Sequence, residues 1–188
     1  MVAHGLAVHA ARVALVTQFS VHARNAFTQI CGDGDVLDAQ YRSGCPEDPH
    51  EFRRALELSR AADERRGFAA IGPHRDDVLL TLNGHAVRGF ASQGQHRAVV
   101  LSLKLAELLM VAAVTQSRPV LVLDDVSGEL DAQRSAALFR ALRDLGGQVF
   151  LSTTHPELIP SLGPSGSPRQ DFTVSQGIVR EVPGGLRM

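Results

Sequence analysis

The run VLVLDD (Val120–Asp125) constrains this 188-residue chain more than any other stretch. Four consecutive apolar residues follow Arg118-Pro119 and end in two carboxylates. That pattern predicts a short strand covered on both faces, as in a parallel sheet layered with helices. The neighbouring segments agree. HRAVVLSLKLAELLMVAAV (96–114) predicts a long helix, apolar on most sides and therefore buried. AQRSAALFRALRDL (132–145) predicts an amphipathic helix with Leu138, Ala141, Leu142 and Leu145 on one side, closed by Gly146-Gly147. QVFLSTT (148–154) predicts a second buried strand. Helix, strand, helix, strand with short links implies an α/β fold with a parallel sheet.

Upstream the pattern differs. Residues 1 to about 30 mix Ala, Val, Leu and Phe with His, Arg and Gln at helical spacing. CGDGD (31–35) breaks this helix, VLDAQYR is extended, and SGCPEDP turns. Asp48 at the N-cap, Pro49 at the first helical position and Glu51 at the third then start a charged helix to about Arg66. Residues 1–70 therefore read as a helical arm with little core of its own, and 71–188 as the α/β part. Asn83-Gly84, between two apolar runs, predicts a hairpin with a type I′ turn. Gln176-Gly177 predicts another at the end of the chain, after a loop SLGPSGSPR.

Composition narrows the classes. A hydrophobic content of 44 % supports a core. A formal net charge of -1 gives no global attraction to nucleic acid or membrane, although local basic patches remain open. Lys104 is the only lysine, placed inside the helix expected to be buried. Cys31 and Cys45 have no metal-ligand spacing and read as free thiols of a cytoplasmic protein. The N-terminus lacks the charge and apolar pattern of a signal peptide. The apolar stretch 98–114 is short for a bilayer span and carries Lys104 and Glu107, so no membrane is expected.

Two motifs carry chemistry. Ligands of parallel α/β sheets bind beyond the carboxyl ends of the strands. Asp124 and Asp125 at such an end suit a magnesium ion and a polarised water, the needs of phosphoryl transfer; they equally suit a helix cap or an arginine pair. Ser92-Gln93-Gly94-Gln95 matches a capping box at the start of the long helix. The same helix start is a phosphate cradle, because an anion can occupy the N–H groups that the cap leaves over.

The order SQGQ, long helix, LVLDD, GELD resembles the signature loop, signature helix, Walker B strand and D-loop of ATP-binding-cassette ATPases. Within that superfamily, GPHRDD (72–77), LTLNG, ASQGQHRAVVLSLKLAE and LVLDDVSGELDAQR resemble the RecF family of bacterial DNA replication and repair proteins. The resemblance implies an ABC-ATPase-like head, a P-loop NTPase fold, with an arm or lid subdomain. It gives Asp124 the magnesium ion, held through water, and Asp125 the attacking water. It places Ser92, Gly94 and Gln95 on the γ-phosphate of ATP bound by the opposite subunit, Asp131 at the dimer seam, and His155 at the switch-histidine position. Gly128 replaces the family's usual D-loop serine. His74, Arg75, Asp76 and Asp77 match a family hallmark to which no residue-level role attaches.

The family also needs a P-loop, GxxxxGK[ST], and the 188 residues contain no Gly-Lys pair. The expectation is a piece of a RecF-like protein, poorly soluble or molten by itself and inactive alone. The resemblance implies ATP and Mg2+ as cofactors. Its implied partners are single-stranded and gapped double-stranded DNA, an ATP-dependent homodimer and recombination mediator proteins, within repair that includes the SOS response. Arg53-Arg54 and Arg65-Arg66 on the arm are candidate DNA contacts or simply a solvated helix face. A non-catalytic module that lends its signature loop to a P-loop-bearing subunit is the alternative. A transporter subunit is disfavoured by GPHRDD and by the lack of an LSGGQ-type double glycine.

Overall fold

The computed structural model describes residues 1–124, 132–156, 159 and 169–182. Helix α1 (Val2–Cys31) buries Ala23, Ala26, Phe27 and Ile30, one face at helical spacing. It ends at Gly32, whose positive φ of 81° suits glycine. Strand β1 (Leu37–Arg42) follows, then helix α2 (Pro49–Arg66). The carboxylate of Asp48 accepts hydrogen bonds from the His50 and Glu51 amides, both at 2.9 Å, as the cap pattern predicts. Phe52 is the one buried α2 residue, so this helix is mostly solvated as expected.

A 3-10 turn (Pro73–Arg75) leads into β2 (Asp77–Leu82) and β3 (His85–Ala86). Asn83 and Gly84 both have positive φ, and Leu82 pairs with His85, which is the expected two-residue turn. Strand β1 lies antiparallel to β2 on its other edge. A single turn, α3 (Val87–Phe90), precedes α4 (Gln93–Thr115). Then come β4 (Leu121–Leu123), α5 (Ala132–Leu145) and β5 (Val149–Leu151). Strands β4 and β5 pair in parallel, giving the expected α/β arrangement. Gly147 lets the chain enter β5, because a Cβ there would sit 2.4 Å from the Pro119 carbonyl oxygen. The hairpin β6 (Phe172–Ser175) and β7 (Ile178–Glu181) turns at Gln176-Gly177. Most of the loop SLGPSGSPR lies outside the described residues.

Three expectations need correction. The first helix has a core: α1 packs on α4, β1 and α5, and its buried face joins Leu37, Val99, Leu105, Leu138, Phe139 and Leu142 in one cluster. Helical spacing over 30 residues concealed this, because the apolar positions that matter lie only in its second half. Helix α4 is not buried all round. Ala98, Val99, Ser102, Leu105 and Ala106 face the core, whereas Val114 is 79 % exposed. Lys104 is on the open side and pairs with Glu107 at 3.0 Å. By length and composition Gln93–Thr115 is also apolar enough to cross a membrane. The β4–β5 sheet is covered on one face only: Leu121, Leu123, Val149 and Leu151 pack on the core, but Val122 is 71 % and Phe150 54 % exposed.

Neighbouring exposed Val122 and Phe150 on paired strands form an aggregation-prone surface. Replacing both by Thr is expected to raise the concentration at which the purified chain stays monomeric by light scattering. Its melting temperature should change little, because neither side chain is in the core. Unchanged aggregation in the double variant would assign the liability elsewhere.

Candidate functional site

The α4 N-terminus is built from one reciprocal pair. The Ser92 hydroxyl oxygen accepts from the Gln95 amide at 3.2 Å, and the Gln95 side-chain oxygen accepts from the Ser92 amide at 2.9 Å. The expected capping box is therefore present. It uses Ser92 Oγ as an acceptor, which leaves the hydroxyl proton to be donated outward. Ser92, Gln93 and Gly94 are exposed. Gly94 is in open space apart from the Arg134 guanidinium, 3.5 Å from where a Cβ would stand. Arg134, on α5, donates to the Gly94 carbonyl at 3.4 Å. A hydroxyl and the first amides of a 23-residue helix thus face solvent together, an anion-binding arrangement.

Asp124 leaves the end of β4 exposed. Its Oδ1 accepts a hydrogen bond from the Ser152 hydroxyl, just past the end of β5. The Ser152 amide in turn donates to the Leu123 carbonyl at 2.9 Å. Asp124 and His155 therefore follow the carboxyl ends of two adjacent parallel strands, where such folds bind ligands. The exposed His155 has its amide held by the Thr153 hydroxyl at 2.9 Å. Asp125, Asp131 and Gly128 lie outside the described residues. Among the described residues no three His, Cys, Asp or Glu side chains gather to hold a metal. Asp124 still fits hydrated magnesium, which takes one or two carboxylates and keeps several waters.

The GPHRDD segment is structural in its best-placed residue. The Asp76 side chain is only 4 % exposed. It accepts from Tyr41 Oη and Arg12 at 2.6 Å each and from the Gly44 amide at 2.8 Å. Burial pushes its carboxyl up, but the Tyr41, Gly44 and Arg12 hydrogen bonds outweigh this and hold it below its ordinary value. Burial, together with the same carboxylate, pushes the Tyr41 phenol up to about 12. Arg12 also donates to the Pro73 carbonyl, so α1, β1 and the GPHRDD turn meet at one carboxylate. Gly44 must be glycine, since a Cβ would stand 2.5 Å from that of Arg75. His74 bonds the Ala69 carbonyl at 2.6 Å, and Asp77 caps its own strand at the Val78 amide. Arg75 is exposed. Neither this cluster nor the Arg134 and Ser152 contacts had a signal in residue spacing, since each joins segments distant in the chain.

No family model matches the chain. RecF of Geobacter sp. (strain M21) is 42 % identical over 135 residues, 68 % of this chain and 37 % of the relative. RecF of Anaeromyxobacter dehalogenans is 41 % identical over 160 residues, 80 % of this chain and 43 % of the relative. RecF of Thermosynechococcus vestitus is 36 % identical over 189 aligned positions, 97 % of this chain and 49 % of the relative. The chain thus spans less than half the length of these curated relatives. Among solved structures, the recombination mediator protein RecF with ATP, of the RecFOR pathway, superposes with TM-score 0.76 at 26 % identity, covering 97 % of this chain and 49 % of that one. An SMC head bound to the winged-helix domain of ScpA shares the fold, with TM-score 0.54 at 13 % identity over 90 % of this chain and 43 % of that one.

The Asp76 cluster makes stability depend on pH at both ends. The lowered Asp76 value stabilises the fold above the ordinary carboxyl value of 3.8, and this is lost as pH falls through the lower native value. The raised Tyr41 value stabilises below 10.0, and this is lost as pH rises through about 12. In denaturant titrations across pH, Tyr41→Phe should cost about 1.5–3 kcal/mol, the worth of a hydrogen bond to a charge. It should also remove the alkaline loss. A Phe variant with wild-type stability and alkaline profile would refute the role of this bond.

Proposed function

This chain is RecF-like, homologous to the C-terminal portion of the DNA replication and repair protein RecF, and from that premise we propose that it supplies the signature half of an ATP-dependent DNA-binding head. The observation that carries the reading is the α4 start, where the capping box leaves the Ser92 hydroxyl proton and the first helix amides directed outward. These groups bind the γ-phosphate of ATP held by an opposite subunit. Gln95 orders the loop, and Gly94 allows the close approach.

At the end of β4, Asp124 would hold hydrated Mg2+, with its carboxylate oriented by the Ser152 hydroxyl. When bound, the ion screens phosphate charge and orients the phosphoryl group. Asp125 polarises the attacking water, His155 stands near the γ-phosphate as the switch residue, and Asp131 works across the seam. The phosphate-holding lysine is not among the 188 residues, so a P-loop outside them completes the site. The head closes as an ATP-dependent dimer on single-stranded and gapped duplex DNA, with recombination mediator proteins, in the cytoplasm. Residues 1–70 form part of the arm. Its exposed Arg53, Arg54, Arg65 and Arg66 meet DNA phosphates, a contact that weakens with salt.

Joined to a RecF N-terminal portion that contains GxxxxGK[ST], the chain is expected to hydrolyse ATP with magnesium. Asp124→Asn in that hybrid should lower turnover about 10- to 100-fold, the usual effect of losing a group that positions a metal's waters. Nucleotide binding measured by fluorescence should survive. Unchanged turnover would refute the assignment of Asp124.

A further inference from the structure

We propose that Asp35, in the CGDGD loop, is a positioning residue for the signature loop, acting through Gln95. This rests on the reading of Ser92–Gln95 as the nucleotide-facing loop. The observation is a chain of side-chain hydrogen bonds joining three loops that are distant in sequence. Asp35 Oδ2 accepts from Gln95 Nε2 at 3.3 Å, and Asp35 Oδ1 accepts from Asn83 Nδ2 at 2.7 Å. Asn83 is itself locked to the backbone beside Asp35: its Oδ1 accepts from the Val36 amide at 2.8 Å, and its amide donates to the Val36 carbonyl at 3.0 Å.

The donor and acceptor balance shows what Asp35 decides. The Ser92 amide donates, so only the Gln95 oxygen can meet it, which leaves the Gln95 NH2 end in need of an acceptor. A carboxylate accepts only, so Asp35 takes the NH2 end and holds the side chain in place with its oxygen on Ser92. That orientation closes the capping box, in which the Ser92 hydroxyl serves as acceptor and keeps its proton for an anion. The Asn83 anchor places Asp35 on the β2–β3 turn, so the signature loop is registered against the hairpin and the end of α1 as well as its own helix. Asp35 is half-buried, whereas the Ser92–Gly94 edge is open to a ligand.

The test swaps the two groups. Asp35→Asn removes an acceptor, and Gln95→Glu sets two carboxylates against each other. With both substitutions, the new side-chain amide at position 35 donates to the new carboxylate at position 95 and accepts from Asn83. That carboxylate keeps an oxygen for the Ser92 amide. Hydrogen exchange of the whole 188-residue chain reads the result. Each single variant should exchange about tenfold faster at Ser92 and Gln95, the worth of one lost hydrogen bond. The double variant should return to within about twofold of wild type, with Ser102–Ala106 protection constant throughout. Wild-type exchange in Asp35→Asn, or no recovery in the double variant, would overturn the proposal. So would loss of Ser102–Ala106 protection in Asp35→Asn, which would make Asp35 a residue of the fold.

A second arm separates this from the reading it rests on. Association with P-loop-bearing RecF loaded with a non-hydrolysable ATP analogue should weaken about tenfold in both Ser92→Ala and Asp35→Asn. Weakening in Ser92→Ala alone would overturn the role of Asp35. Weakening in neither would overturn the nucleotide reading, and the exchange pattern alone would then decide whether Asp35 holds the loop.

Discussion

The candidate site depends on the contact between α1 and α4. Ala23, Ala26, Phe27 and Ile30 of α1 share a core with Ala98, Val99, Leu105 and Ala106 of α4. Buried alanines on both helices suit close approach, and Phe27 fills the space beside them, excluding water. Burial of a side chain such as Phe27 contributes about 1.5–3 kcal/mol. This contact fixes the axis of α4, and so fixes where its N-terminal amides point. Helix α5 packs on the same pair and brings Arg134 to Gly94, so the loop at the start of α4 is braced from a second helix.

A second constraint binds the first 70 residues to the remainder. Asp76 gathers Arg12, Tyr41 and Gly44 around one buried carboxylate, while Asp35 and Asn83 link the loop after α1 to the turn between β2 and β3. Strand β1 belongs to the first 70 residues and β2 to the remainder, yet they form one sheet. The two stretches are therefore continuous in packing, and a displacement of α1 would be felt at both ends of the hairpin.

Local chemistry made much of this legible in the sequence. Asp48 with Pro49 and Glu51, Ser92 with Gln95, and Asn83 with Gly84 each specify a cap or turn within four residues, and each formed as read. The parallel pairing of VLVL with the strand after α5 followed from alternation of elements. The misreadings concern environment. An apolar run reports what could be buried, and only the packing decides which face is: hence the open side of α4 and the exposed Val122 and Phe150. Long-range polar links were invisible for a different reason. Asp35 reaches Gln95 across 60 positions, and Asp76 reaches Arg12 across 64. No periodicity encodes such pairs. The resemblance of SQGQ and LVLDD to a signature loop and Walker B strand supplied the chemical roles that geometry alone does not.

Contact between Ser92–Gln95 and the γ-phosphate of ATP held by another subunit is the step on which the proposed function rests. It is tested most directly with ATP carrying a photoreactive group on the γ-phosphate, bound to P-loop-bearing RecF and mixed with this chain. After illumination, the label should map to the peptide containing Ser92–Gln95, only when both the partner and magnesium are present. Label elsewhere on this chain, or label on these residues without the partner, would contradict the account.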